Sequence, residues 1–279
     1  MALIDLSASI EMTTCSDPGR VRDNNEDSVL ANAPLGLAVL ADGMGGYNAG
    51  EVASSMATTV LGCELEQLFA DNPPHHPGED GHAWVLSALA AKVSQTNRAI
   101  YQAALDNPKY AGMGTTLVMV QFYDNRMAVA HVGDSRLYRV RDGELMQITR
   151  DHSLLQDQLD SGLITPEEAR YSHNKNLVTR ALGVEEDVKT DVAEHAVLPG
   201  DVYLLCSDGL NDMVDDEDIA LTLSSLSANL PLCAQQLIDL ANDNGGRDNV
   251  SVVLVKIRMA FPAPDSRSGW KNKLQSWFG

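Results

Sequence analysis

The chain has 279 residues, 44% of them hydrophobic and 21% charged, which is enough to bury a sizeable core and excludes a disordered or fibrous protein. Its net charge of −19 repels phosphate backbones and excludes nucleic acid as a partner, while leaving open a phosphorylated substrate whose site carries its own cations. The start Met1-Ala-Leu-Ile-Asp-Leu has neither the basic residue nor the long apolar stretch of a signal peptide, no apolar run reaches the length of a transmembrane segment, and the scattered Cys15, Cys63, Cys206 and Cys233 read as reduced thiols of a cytoplasmic protein.

Residues 10–14 read as an edge strand, closed by the turn Asp17-Pro18-Gly19. Residues 22–30 turn from polar to apolar, a loop entering a strand. Residues 37–41 are all apolar and predict a strand buried on both faces, which ends on Asp42. Gly43 follows, where a side chain would obstruct a close approach to the backbone, and Asn48 stands three residues before Glu51 like the start of a capping box. The stretch is no nucleotide loop: Gly43-x-Gly45-x-x-Asn48 lacks the third glycine of the dinucleotide fingerprint, and no Gly-Lys-Ser/Thr follows.

A helix from Ala49 repeats apolar residues at Val52, Met56 and Val60. It ends before a Pro- and Gly-rich loop over 71–81, where His75 and His76 read as solvated. A second helix covers 83–105. Strands are expected over 112–120, 127–132 and 136–140, with Asp142-Gly143 as a hairpin turn. Residues 151–183 are more polar, with a short helix pattern at Leu154, Leu155 and Leu159 and the capping box Thr165-Pro166-Glu167-Glu168, and predict a small helical flap over the sheet. A buried strand over 202–205 runs into Ser207-Asp208-Gly209; helices follow over 216–223 and 232–242, and Arg247-Asp248-Asn249 opens a last strand over 250–257. Turn-joined strands in groups, with helix pairs between them, predict packed antiparallel sheets with helices outside, an α+β architecture.

Asp42, Asp134, Asp208 and Asp248 each stand at the edge of a strand. Gathered in one place, such carboxylates repel one another unless cations compensate, and oxygen-only donors favour magnesium or manganese over zinc. Two such ions are a known device for phosphate-ester hydrolysis. Arg22 is the candidate cation for a phosphoryl group; on spacing alone it reads more readily as a surface arginine paired with Asp23 or Glu26. His131 reads as a core residue or a neighbour behind the donors.

In chain order, Arg22-x-x-Asn-Glu26-Asp27, Asp42-Gly-Met-Gly-Gly46, Gly133-Asp134-Ser135-Arg136, Ser207-Asp208-Gly209-Leu210 and Arg247-Asp248-Asn249 resemble the motif series of the metal-dependent protein phosphatases, the PPM or type 2C serine/threonine phosphatases, in their bacterial branch. The resemblance implies a four-layer α-β-β-α sandwich of two mainly antiparallel sheets flanked by helix pairs, with a catalytic domain over 1–257 and a tail over 258–279. It implies Mn²⁺ or Mg²⁺, two in a core site and a third held more weakly. Asp42 would bridge the two core ions, the Gly43 carbonyl would bind one of them, and Asp208 and Asp248 would complete the other. Glu26 would act through water, Asp134 and Asp212 with Asp208 would hold the third ion, and Arg22 would hold the phosphoryl group. A metal-bridging hydroxide would attack phosphorus directly. Implied partners are phosphorylated proteins and a cognate serine/threonine kinase, with the chain a monomer; a catalytically inactive cation-binding or scaffold module of the same fold is the competing reading.

Many relatives carry His after the first Asp-Gly, where this chain has Met44, so the proton donor to the leaving alkoxide is open among His152, His173 and a metal-bound water. The tail carries Arg258, Arg267, Lys271 and Lys273 against Asp265 alone, and Trp270, Leu274, Trp277 and Phe278 share one helical face. It folds back on the acidic body or stays disordered, or else it docks on a partner protein or an anionic membrane surface.

Overall fold

A computed structural model of the chain describes residues 3–46, 49–74, 84–169 and 177–262. The cap expected at Asn48, the loop histidines His75 and His76, His173 and the amphipathic face of the tail lie outside these residues.

Strands β1 (Ile10–Asp17), β2 (Asp27–Asn32) and β3 (Leu37–Met44) lead into helices α1 (Ala49–Asp71) and α2 (Trp84–Asp106). The short β4 (Gly114–Thr115) precedes β5 (Leu117–Tyr123), β6 (Arg126–Val132), β7 (Arg136–Arg141) and β8 (Glu144–Gln147). The flap carries α3 (Leu154–Asp160) and α4 (Pro166–Ala169). Then come β9 (Asp191–Ala196), β10 (Val202–Cys206), α5 (Asp208–Asn211), α6 (Asp216–Leu226), α7 (Leu230–Asp243) and β11 (Val250–Ile257). One sheet runs β1-β11-β10-β7-β8; the other runs β2-β3-β5-β6-β9, with β4 pairing β3, and the neighbouring strands are antiparallel.

Alternation along β3 shows how the layers form. Leu37, Val39 and Ala41 pack under α1 and α2, whereas Ala38 and Leu40 pack between the sheets against Tyr203, Leu205, Val253 and Val255. A third apolar layer joins β10 and β11 to α6 and α7. Both sheets are therefore covered on both faces, which is why their central strands are unbroken apolar runs. Phe122 of β5 meets Tyr203 of β10 edge to face across the sheets at 5.4 Å, worth about 1 kcal/mol beyond the area it buries. The result is the four-layer α-β-β-α sandwich expected.

Local signals act as their chemistry dictates. Thr165 and Glu168 exchange the reciprocal bonds of a capping box at α4, and Asp215 and Asn229 cap α6 and α7. Asp142 and Gly143 take positive φ in the β7–β8 hairpin. The sequence reading missed β9, an edge strand with most of its side chains exposed or half-buried, and merged β4 with β5.

Antiparallel pairing sends several strand ends to one rim. Asp27 at the start of β2 stands opposite Asp42 near the end of β3. The end of β10 lies beside the start of β7 and near the start of β11. The turns bearing Asp134, Asp208 and Asp248 therefore converge there.

Candidate metal centre

Asp42 is fixed through its backbone. Its N–H donates to Thr116 Oγ1 at 3.2 Å, and its carbonyl accepts from Thr116 N–H at 2.9 Å and from Thr115 Oγ1 at 2.8 Å. The close approach expected at Gly43 is real: a Cβ there would sit 2.2 Å from the Gly50 carbonyl oxygen and 2.5 Å from that of Glu26. This packs the start of α1 against β3, and the Gly50 N–H donates to the Glu26 carboxylate.

Asp208 opens α5 and Asp212 caps its C-terminus, four residues on and on the same helical face; Asp212 N–H donates to the Asp208 carbonyl at 2.8 Å. Asp134 is 6% exposed in the β6–β7 turn. Asp248 stands just before β11, where Arg22 Nη2 donates to its Oδ2 at 2.7 Å. Arg22 is exposed and reaches across the rim, pairing with Asp248 rather than with Asp23 or Glu26.

The electrostatics are those of uncompensated acids. Asp42 and Asp208 keep part of their surface toward solvent but are enclosed by protein on most sides. That enclosure raises the pKa of Asp42 well above the usual carboxylate range, and the charges of Asp27, Asp208, Asp134 and Asp248 raise it further. Burial likewise raises Asp208, with Asp134, Asp212 and Asp248 adding to it. Asp134 is pushed up to about 6 by burial and then Asp151. Asp27 is pushed up to about 6 by burial, against hydrogen bonds from Ser251 and Ser207. Burial raises Glu26 too, opposed by Arg22.

Such a cluster fits divalent cations. The donors are carboxylates and the Gly43 carbonyl, all hard oxygens, and each acid destabilises the next until positive charge arrives. Among the described residues, His131, His152 and Asp191 bring one ligand atom each within 4.8 Å of one another.

The rim contains residues to which the sequence reading gave no role. Asp27 accepts from Ser207 Oγ at 2.8 Å, and its only signal was its place directly after Glu26. Asn249 accepts from Glu26 N–H at 2.8 Å and donates to the Asn24 carbonyl at 2.7 Å, clamping the Arg22 loop to β11. Asp151, behind Asp134, is gripped by the Arg136 guanidinium with contacts of 2.7–3.1 Å. His152 is only 3% exposed and its Nδ1 accepts from Gly133 N–H, so it is not placed to protonate a leaving group in the cleft. Beside Met44 a groove of ≈ 550 Å³ opens, lined by Arg180, Val184, Val188 and Lys189.

The family model for protein phosphatase 2C matches residues 19–237. The serine/threonine protein phosphatase PstP of Mycobacterium tuberculosis is 44% identical over 244 residues, covering 87% of this chain; the chain spans 44% of that relative's length. The protein phosphatase PhpP of Streptococcus pneumoniae is 36% identical over 253 residues, covering 89% of this chain and 98% of the relative. The crystal structure of the M. tuberculosis phosphatase PstP/Ppp superposes with a TM-score of 0.80 at 42% identity, covering 90% of this chain and 99% of that one. The PstP catalytic domain in complex with 2 manganese ions superposes with a TM-score of 0.77 at 42% identity, with the same coverage.

Proposed function

The chain belongs to the protein phosphatase 2C family, and on that premise we propose that it hydrolyses phosphoserine and phosphothreonine in proteins by direct attack of water on phosphorus. The observation that carries this reading is the group of enclosed carboxylates at one rim with Arg22 reaching across it to Asp248.

In this reading Asp42, the Gly43 carbonyl, Asp208 and Asp248 hold two ions, Mn²⁺ or Mg²⁺, and Glu26 contributes through water. Asp134 and Asp212, with Asp208, hold a third ion more weakly. Bound ions would supply Lewis acidity and lower the pKa of water. The chain's own residues do the rest. Asp42, anchored by Thr115 and Thr116, keeps its carboxylate at the strand end. Arg22 binds the phosphoryl group through its planar fork, exchanging the Asp248 contact for phosphate oxygens. Asn249 holds the Arg22 loop in place. Met44 offers no proton and His152 is enclosed, which leaves His173 and water as proton sources for the alkoxide.

We place the catalytic domain over residues 1–257; at the start of the basic segment 258–279 Arg258 pairs with Glu11 and Phe261 packs on Phe122, and the rest of the segment either follows it back onto the acidic body or serves as a docking element for a partner protein or anionic surface. The substrates are phosphoproteins, including a cognate serine/threonine kinase; the chain acts as a monomer in the cytoplasm. Among the described residues no helix is long and apolar enough to cross a membrane, and the four cysteines are free thiols. The test is hydrolysis of p-nitrophenyl phosphate and of a phosphothreonine peptide with Mn²⁺, Mg²⁺ or EDTA. Turnover of both with metal and neither with EDTA is expected; metal-independent turnover, or none under any condition, overturns the reading.

A further inference from the structure

The flap base holds a buried histidine to which the proposed reaction gives no task. His152 lies where the flap leaves the sandwich, and its ring stacks on His131 at 4.8 Å and 18°. Its backbone N–H donates to the Gly133 carbonyl at 2.9 Å, and its carbonyl accepts from Thr179 N–H, on the returning side of the flap, at 2.8 Å.

The ring contacts determine its tautomer. Gly133 N lies 3.1 Å from Nδ1. A backbone N–H can only donate, so Nδ1 presents a lone pair and the neutral ring carries its proton on Nε2. Nε2 faces Asp191 Oδ2 at 3.4 Å and Arg180 Nη1 at 3.1 Å. Guanidinium accepts nothing, so the proton points to Asp191, while Arg180 donates to the other Asp191 oxygen at 3.3 Å. With both ring nitrogens committed and the Arg180 cation already beside both the acid and the ring, this cluster is a hydrogen-bonded relay and not a metal site.

The relay ends on the turn that bears Asp134. The Gly133 N–H belongs to the peptide before that residue and its carbonyl to the peptide after it. One residue, His152, therefore pins both peptide planes around a glycine at φ +106°. The second of those planes leads directly into Asp134, so pinning the turn fixes the peptide from which the Asp134 side chain departs.

We propose that His152, held in its Nε2–H tautomer by Asp191, is a positioning residue that fixes the Gly133 turn and thereby aims Asp134 at the cation it shares with Asp208 and Asp212. This rests on the assignment of Asp134 as a cation ligand above. It makes the flap base, through Arg180 and Thr179, part of the support of the weakly held ion. Partners behind a metal ligand commonly change affinity by ten- to a hundredfold, so the effect is measurable.

Two measurements on the full chain test it. Imidazole ¹⁵N spectra of the metal-free protein should show His152 as the Nε2–H tautomer. Asp191→Asn, whose amide can donate to Nε2, should shift the ring toward Nδ1–H and break the Gly133 bond. Calorimetric Mn²⁺ titrations should then show the weakest step lost or weakened by about tenfold or more in Asp134→Asn, His152→Leu and Asp191→Asn, with tighter steps unchanged. His152→Asn places an acceptor where Nδ1 stood and should recover the weak step to within about threefold of wild type. An Nδ1–H tautomer in wild type overturns the proposal. So does a weak step that survives His152→Leu but not Asp134→Asn. If Asp134→Asn changes no step, the ligand assignment itself fails and the proposal falls with it, whatever the tautomer. Should His152→Leu not fold, the wild-type tautomer and the Asp191→Asn titration decide.

Discussion

Strand β10 has an acid at each end, and the two fare oppositely. Asp201 is 1% exposed, yet its carboxylate accepts from Arg141 Nε and Nη2 at 2.7 Å each, from Leu198 N–H at 2.8 Å and from Tyr203 OH at 3.0 Å. Burial would push it up, but these bonds and the guanidinium charge win and hold its pKa below the usual carboxylate range. Asp208, at the other end, meets burial and then Asp134, Asp212 and Asp248, and is pushed up. One end of the strand carries its counter-ion within the chain, and the other must take it from solution. A paired buried acid serves the fold; an enclosed acid among acids, in the function proposed above, binds an ion whose occupancy would stabilise the fold.

The largest effect separates the two ends outright. Asp208→Asn should cut turnover of p-nitrophenyl phosphate by about a thousandfold, as expected if several kcal/mol of metal-derived stabilisation is lost. The melting temperature of that variant in EDTA should hold or rise, because a repelling charge is gone. Asp201→Asn should do the reverse, losing about 3 kcal/mol of stability while kcat per folded molecule is kept. Equal losses of activity and stability in both variants would break the comparison.

Next comes pH without metal. Asp27, Asp42, Asp134 and Asp208 have folded pKa values above their unfolded ones, with Asp27 and Asp134 at about 6. The contribution of Asp27 and Asp134 to stability is complete below the unfolded carboxylate range and is lost as pH rises through about 6. Asp201 has the opposite sign: its contribution is present above the unfolded value and is lost as pH falls through the lowered one. In EDTA the melting temperature should therefore fall by roughly 5 °C between pH 5 and pH 7. Millimolar Mn²⁺ should cancel that fall, because the ion binds the deprotonated acids. A melting curve that rises over this window in EDTA would show the rim acids to be compensated after all.

Arg22 sharpens the comparison on the cation side. Arg141 is committed to Asp201 by a fork, whereas exposed Arg22 holds Asp248 by one nitrogen and is free to exchange it. Arg22→Ala should raise KM by about tenfold with a smaller change in kcat, seen in steady-state kinetics on a phosphopeptide. Met44→Ala should have the smallest effect and leave the pH–rate profile unshifted, since a thioether does not titrate.

The sandwich was readable because its central strands are covered on both faces, so that runs such as residues 37–41 and 202–205 stand out without any partner in view. The rim was readable where an acid directly follows or precedes such a run, as at Asp42, Asp208 and Asp248. What depends on pairing across the sheet was not. Asp27 acquires its environment from standing opposite Asp42 and from Ser207, 180 residues on. The same holds for His152, which read as a candidate proton donor of the flap until β9 brought Asp191 to its ring. β9 was itself invisible, because an exposed edge strand needs no apolar pattern.

Strand β11 is enclosed in its sheet, between β1 and β10, and Asp248 stands at its entrance. A chain made from its N-terminus produces this segment after every other rim acid. Asp42, Asp134 and Asp208 then wait, unsupported by Asp248, while β1 and β10 wait for the strand that joins them. Sheet and site are completed by the same late segment, so a partly synthesised chain has no finished rim.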